Sequence, residues 1–201
     1  MKRLVALIAA ALVIGNAAAQ QVAPDVLMKN LTNDVLSIVS KDQDIQSGNT
    51  AKAIALVEAK VLSDFDFQRM TALAIGKEWR KATPDQQSAL TAEFRTLLVR
   101  TYSRALTSYR NQAIDFKPTK LVGDETDVTV RTEIKQPGAK SVSIDYAMEK
   151  VQSTWKVYDI AVAGISLVMS YRDQFGQEVL NNGIDGLIKE LQTKNAGKPK
   201  A

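Results

Sequence analysis

Cysteine and histidine are both missing from these 201 residues. Without cysteine there is no disulfide, no thiol nucleophile and no thiolate metal ligand, so stability has to come from packing. Without histidine the commonest general base and the commonest transition-metal ligand are gone, which removes most hydrolase mechanisms. There is no phosphate-cradling glycine loop, and Gly164-Ile165-Ser166-Leu167-Val168 lacks the second glycine of a nucleophile elbow. Long apolar runs are missing as well: the run over residues 4–14 is far short of the roughly 20 residues that span a bilayer.

That run follows Lys2 and Arg3 and precedes Ala17-Ala18-Ala19, the order of a secretory signal cleaved after a small residue. Residues 1–19 are therefore read as a signal peptide that directs the chain to the periplasm; an interfacial or core helix is the alternative. Residues 20–193 are expected to form one domain without an internal linker. Residues 194–201, with Lys194, Lys198 and Lys200 among Gly, Pro and Asn, are expected to be a disordered basic tail. The formal charge of +4 includes Lys2 and Arg3, so the remainder carries +2. That is too small to suggest a nucleic-acid partner, and none is expected.

What is present is a change of period. Leu27, Leu31, Val35, Ile38 and Val39 predict a helix over residues 24–41, followed by helices over 50–62 and 66–76 with Asp66 as a cap. Thr83-Pro84-Asp85-Gln86 reads as a capping box opening a long helix to about residue 109. From there the spacing falls to two. Val128, Val130, Thr132 and Ile134 alternate with polar residues, as do Val142, Ile144, Tyr146 and Met148, with Gln136-Pro137-Gly138 as the turn between them. Residues 116–122 and 154–162 add two strands, Gly164 ends the sheet, and helical spacing returns from Ser166 to Leu191. The fold class is α+β, helices on one face of a small curved antiparallel sheet of about four strands.

Three groups of residues could carry chemistry. Asp64 with Asp66, and Asp124, Glu125 and Asp127, could hold a hard cation, but a cap and a solvated turn account for them, and no metal is expected. Asp159 shares the parity of Trp155 and Val157, which places a carboxylate on an apolar face and calls for a partner such as Arg95 or Arg100; a buried acid could also be a general base. Met70, Trp79, Phe94, Tyr102, Met148 and Tyr171 are large side chains on elements that face the sheet. Periodicity alone does not separate a filled core from a hollow one.

Five ordered segments bear on that choice. They are Phe65-Asp66-Phe67-Gln68-Arg69-Met70; Gly76-Lys77-Glu78-Trp79-Arg80-Lys81-Ala82-Thr83-Pro84; Glu93-Phe94-Arg95 with Leu97-Leu98 and Thr101-Tyr102; Trp155-Lys156-Val157-Tyr158-Asp159-Ile160; and Gly164-Ile165-Ser166-Leu167-Val168 with Tyr171-Arg172 and Phe175. In order and spacing they resemble the periplasmic phospholipid-binding carriers of the Mla (maintenance of lipid asymmetry) pathway, the MlaC or toluene-tolerance family, over residues 25–191. Ser170 stands where that pattern expects Asn.

The resemblance implies an NTF2-like cone enclosing an apolar cavity, with acyl tails between sheet and helices and the headgroup near solvent. It implies phospholipid as cargo, no cofactor and no catalysis. As partners it implies an outer-membrane lipoprotein associated with a porin and an inner-membrane MCE-domain ring coupled to an ABC transporter, with the carrier itself a monomer. On this reading the inward positions lining the cavity are Met70, Phe94, Leu98, Tyr102, Val130, Ile144, Tyr146, Met148, Val157 and Val168. The alternatives left open are a carrier of another apolar ligand, such as a quinone or an acyl group, and an enzyme on the same cone using Asp159 and a tyrosine.

Overall fold

Asp42, Asn49, Asp66 and Thr83 each cap the first turn of a helix with a side-chain oxygen. The computed structural model describes residues 22–197 apart from Val122, Gln136, Pro137 and Ala139. The signal read over residues 1–19, Lys198 and Lys200 of the tail, and part of the Gln136-Pro137-Gly138 turn lie outside the described residues. Helix α1 is Pro24–Val39, α2 a single turn at Gln43–Gln46, and α3 Thr50–Lys60. Helix α4, Phe67–Ile75, starts where the Asp66 carboxylate accepts from the Arg69 N–H at 2.8 Å. Helix α5, Pro84–Tyr102, opens with the expected capping box: Thr83 Oγ1 accepts from the Gln86 N–H, and Gln86 Oε1 accepts from the Thr83 N–H. The expected continuation to residue 109 is a turn at Ser103 and the short α6, Arg104–Thr107.

Five strands follow: β1 Ala113–Phe116, β2 Asp127–Lys135, β3 Val142–Val151, β4 Thr154–Val162 and β5 Ile165–Ser166. They pair antiparallel in chain order, so the expected α+β class holds, with one strand more than expected. The first strand lies earlier than the 116–122 read from the sequence. The reason is Pro118, which has no N–H for the ladder; pairing stops at Lys117, whose N–H donates to Arg131 O at 2.9 Å. Nor does Gly164 end the sheet. Ala163 and Gly164, both at positive φ (51° and 82°), make the two-residue turn that returns the chain as β5. A 3₁₀ turn at Met169–Tyr171 then leads into α7, Arg172–Ala196, which Gly183 kinks at φ 74°. Helix α7 runs through Lys194, beyond the point where the sequence reading begins its tail.

A β-bulge changes the reading of Asp159. Met148 pairs with Val157 but Ala147 pairs with Asp159, so Tyr158 is an extra residue on β4. Every residue after it changes face. Trp155 and Val157 point to the apolar side, as do Ile160 and Val162, whereas Asp159 points away. Neither Arg95 nor Arg100 meets it. The Asp159 carboxylate instead accepts from the Ser166 hydroxyl at 2.5 Å, from the Ile160 N–H at 2.8 Å and from the Val168 N–H at 3.2 Å. Arg95 lies 6.0 Å from the centre of the Phe67 ring, and the Arg100 guanidinium donates to Gly197 O. The carboxylate thus ties β5 and the 3₁₀ turn to β4.

The helices pack mainly on one another: α5 on α7, α4, α3 and α6. The sheet meets the helical layer where α1 crosses β2 and where α4 abuts β4; there Phe65 bridges to Val157 and the Asp66 N–H donates to Val157 O. Burial is divided into three clusters. A helical cluster gathers Met70, Leu90, Phe94, Leu98, Phe175 and Leu187, and a sheet cluster gathers Met28, Val130, Met148, Trp155 and Val157. The third, around α1 and α3, holds Val35, Val39, Ile45 and Ala53. Partly buried side chains join them, Phe65 between the first two and Leu31 between the last two.

Asp159→Ala removes the acceptor for a hydroxyl and two N–H groups, and should lower stability by about 2 kcal/mol in urea unfolding. Asp159→Asn, which keeps one acceptor oxygen, should lose less. An unchanged midpoint in the alanine variant would show that the β4–β5 tie is dispensable.

Candidate functional site

One face of the sheet is mostly apolar, and its side chains are sealed over only part of its length. In the row Val128, Met148 and Val157, the last two are wholly buried, beneath Met28 of α1. The next row is Val130, Tyr146 and Ile160, of which only Val130 is sealed. Beyond it come Phe116, Thr132, Ile144, Val162 and Ile165 across all five strands, and then Ile114, Ile134 and Val142. Every apolar side chain in these outer two rows keeps accessible surface, and Ile165 is 67% exposed. Burial is therefore most complete around Met148 and Val157, while toward Val142 the apolar side chains are only partly buried, with Thr132 sealed among them.

Two tyrosine phenols, one on this face and one at the end of α5, are raised by burial. Burial pushes the Tyr146 phenol up to about 12, although the side chain remains accessible. Tyr102, the last residue of α5, is 37% exposed, and burial together with the neighbouring Tyr171 hydroxyl raises its phenol well above the usual value.

Of the ten lining positions read from the sequence, Met70, Phe94, Leu98 and Val168 pack in the helical cluster, and Val130, Met148 and Val157 in the sheet cluster. These seven are at most 6% exposed, and other side chains fill the space in front of them. Tyr102, Ile144 and Tyr146 keep accessible surface. Sequence reasoning misses Ile160 and Val162, because the bulge reverses their parity, and Ile114, because the first strand lies earlier than its spacing suggests.

The opposite face is polar. Arg69 of α4 reaches across it, pairing with Asp127 of β2 at 2.8 Å and Glu149 of β3 at 2.5 Å, with its guanidinium 3.5 Å from the centre of the Tyr158 ring. Burial pushes the Glu149 carboxyl above its ordinary value even against the Arg69 charge, and Glu149 Oε1 has no hydrogen bond among the described residues. Asp66 and Asp127 are thus used as a cap and an ion-pair partner. An open hollow of about 530 Å³ on this side is lined by Lys117, Lys120, Glu125, Asp127 and Arg131. Its charged walls suit polar ligands and oppose acyl chains. Among the described residues, no helix is long and apolar enough to cross a membrane.

A family model described as MlaC protein matches residues 29–193. The chain belongs to the MlaC family. The five segments that carried the resemblance lie wholly inside the matched span. Among its MlaC-family relatives, the intermembrane phospholipid transport system binding protein MlaC of Haemophilus influenzae is 24% identical over 192 residues, which cover 94% of this chain and 89% of that protein. The toluene tolerance protein of Pseudomonas putida is 32% identical over 106 residues, covering 53% of this chain and 49% of that one. Among solved structures, a phospholipid-binding protein from Ralstonia solanacearum in complex with a phospholipid superposes with a TM-score of 0.80 at 38% identity, covering 87% of this chain and 98% of that chain.

Covered and uncovered positions of the apolar face should respond differently to truncation. Met148→Ala, in the sealed row, should cost about 2–5 kcal/mol by urea unfolding. Ile144→Ala, in the open row, should cost less than half as much. Equal losses would mean that the outer rows are packed as tightly as the inner ones.

Proposed function

We propose that this chain is a periplasmic carrier that holds the acyl chains of a phospholipid against the open half of its apolar sheet face and takes the lipid between the inner and outer membranes. The observation that carries the reading is the row Phe116, Ile144, Val162 and Ile165, apolar on every strand but for Thr132 and left accessible. Membership of the MlaC family and the phospholipid complex of the Ralstonia relative support it.

The physical need for a carrier is large. A phospholipid has roughly 30 tail methylenes, and at about 0.8 kcal/mol each their exposure to water costs on the order of 25 kcal/mol. Side chains that replace neighbouring lipids remove that cost, and the direction of loading then depends only on the difference between bilayer and protein. Two tails need a volume near the upper end of the usual range, about 1,000 Å³. Loading therefore parts the helical cluster from the sheet cluster and uncovers Met70, Phe94, Leu98, Val130, Met148, Val157 and Val168 as further lining. The proposed docking partners are the outer-membrane lipoprotein–porin complex and the inner-membrane MCE-domain ABC transporter. The chain catalyses no reaction in this scheme.

Protein purified without added lipid should release phospholipid into an organic extract, read by mass spectrometry. A quinone or free acyl group in its place would redirect the reading to another apolar cargo. An empty extract from folded protein would remove it. Leu98→Asp and Ile144→Asp should abolish co-purification, because a charge against acyl chains is left unpaired. Stripping the lipid should also lower the thermal midpoint, since a ligand that binds only the folded state stabilises it.

A further inference from the structure

The polar side of the sheet has a gap of its own, where β1 stops short of the strand it pairs with. Main-chain groups alternate in direction along a strand, so successive residues of β2 bond in turn to β3 and to β1. Thr126 O, just before β2, accepts from the Lys150 N–H of β3 at 2.7 Å, which assigns the even-numbered residues to β3. Arg131 O accepts from the Lys117 N–H, which assigns the odd-numbered ones to β1. Asp127 and Thr129 therefore aim their N–H and C=O groups at the place where β1 would continue. Nothing continues it. Pro118 follows Lys117 without an N–H to give, and Thr119, which the register sets opposite Thr129, donates instead to Asp25 Oδ2 at 3.3 Å. Among the described residues, these groups of Asp127 and Thr129 have no main-chain partner on that side.

A bare edge is common in open sheets. This one opens into the hollow of about 530 Å³, lined by residues 117–120 and by Glu125, Asp127, Thr129 and Arg131. Of the charges on its wall, Asp127 is paired with Arg69, and Lys117 with Asp115 and Glu133. Lys120 and Arg131 are exposed and have no ion pair among the described residues, although Asp145 stands opposite Arg131 in the register. Unused main-chain groups and uncompensated cations thus face the same space.

We propose that the gap receives an extended, acidic segment of a protein partner, which continues β1 antiparallel to β2 and sets its carboxylates against Lys120 and Arg131. Strand addition of this kind draws affinity from the main chain and selectivity from alternate side chains. A residue opposite Thr129 shares its face, the polar one, and stands diagonal to Arg131. The lysines of this chain's own end, Lys198 and Lys200, have the wrong sign to fill the gap. The site lies away from the apolar rows, so it does not depend on the carrier reading.

The test adds short peptides at millimolar concentration to the full chain, one alternating Thr with Glu and one alternating Thr with Lys, and follows backbone amides by NMR. The Glu peptide should shift the Asp127 and Thr129 amide signals and slow their exchange with solvent. The Lys peptide should leave both unchanged. In antiparallel pairing the residues whose side chains share the face of Thr129 also turn their N–H groups toward it, so N-methylation of the Glu residues should abolish binding and N-methylation of the Thr residues should not. Lys120→Gln/Arg131→Gln should weaken the Glu peptide about three- to tenfold, a loss that added salt reproduces in the wild type. Equal binding of the Lys peptide, indifference to Glu methylation, or no change at either amide would overturn the proposal. Self-association through the same amides without peptide would give the gap to a second copy and overturn it too. None of these outcomes touches the release of phospholipid into an organic extract, by which the carrier reading stands or falls.

Discussion

An apolar sheet face must be covered, and in this fold the chain covers its outer rows only in part. Five strands make the face continuous, from Trp155 and Met148 at one end to Val142 and Ile165 at the other. Helix α1 and the Phe65 bridge close the first end, where Val130, Met148 and Val157 are sealed from water. At the other end α5 turns toward the other helices, packing on α7, α4 and α3. The partly covered rows are where the proposed apolar cargo would lie, and the core is divided into three clusters. A domain of this size ordinarily buries one contiguous core; here the clusters meet through single partly buried side chains, Phe65 and Leu31.

The polar groups hold the frame around that opening. Arg69 spans the outer face from α4 to β2 and β3 with its guanidinium over Tyr158, so the helical layer is pinned to the sheet from the side opposite the apolar rows. Asp159 ties β5 and the following turn to β4 without any cation. The Asp159 tie depends on the bulge at Tyr158, which sends Asp159 to the polar face and Ile160 and Val162 to the apolar one. One inserted residue therefore supplies an anchor and lengthens the apolar surface.

Much of this is legible in the sequence because caps and alternation are local. Thr83 and Gln86 announce α5, Asp66 announces α4, and the alternation of Val128 to Ile134 and Val142 to Met148 fixes the two central strands and their inward faces. What escapes such reading is whatever depends on a single backbone displacement. Asp159 has the parity of Trp155, and only the paired register reveals that an extra residue lies between them. The turn at Ala163 and Gly164 lacks the Asn-Gly or Asp-Gly signal that marks such hairpins, so β5 is invisible in the sequence. For the site, period-two patterning identifies the inward face. It does not distinguish the sealed positions, such as Met148, from the open ones, such as Ile144, because coverage is decided by where helices distant in sequence come to rest.

The division between sealed and open rows also bears on what kind of binding this architecture can support. A rigid, fully preformed cavity would hold its ligand through fixed complementarity and release it only against the whole of that interaction. Here seven of the ten expected lining residues pack within the protein's own clusters, so under the proposed loading the packing given up would offset part of what the acyl chains contribute. On that proposal, loading and emptying would be exchanges between similar apolar surroundings, with a free-energy difference small compared with the exposure of tails to water. Small differences are what a carrier needs at both ends of its journey. The anchors at Arg69 and Asp159 lie outside the apolar rows, so neither would have to break if the clusters parted as proposed.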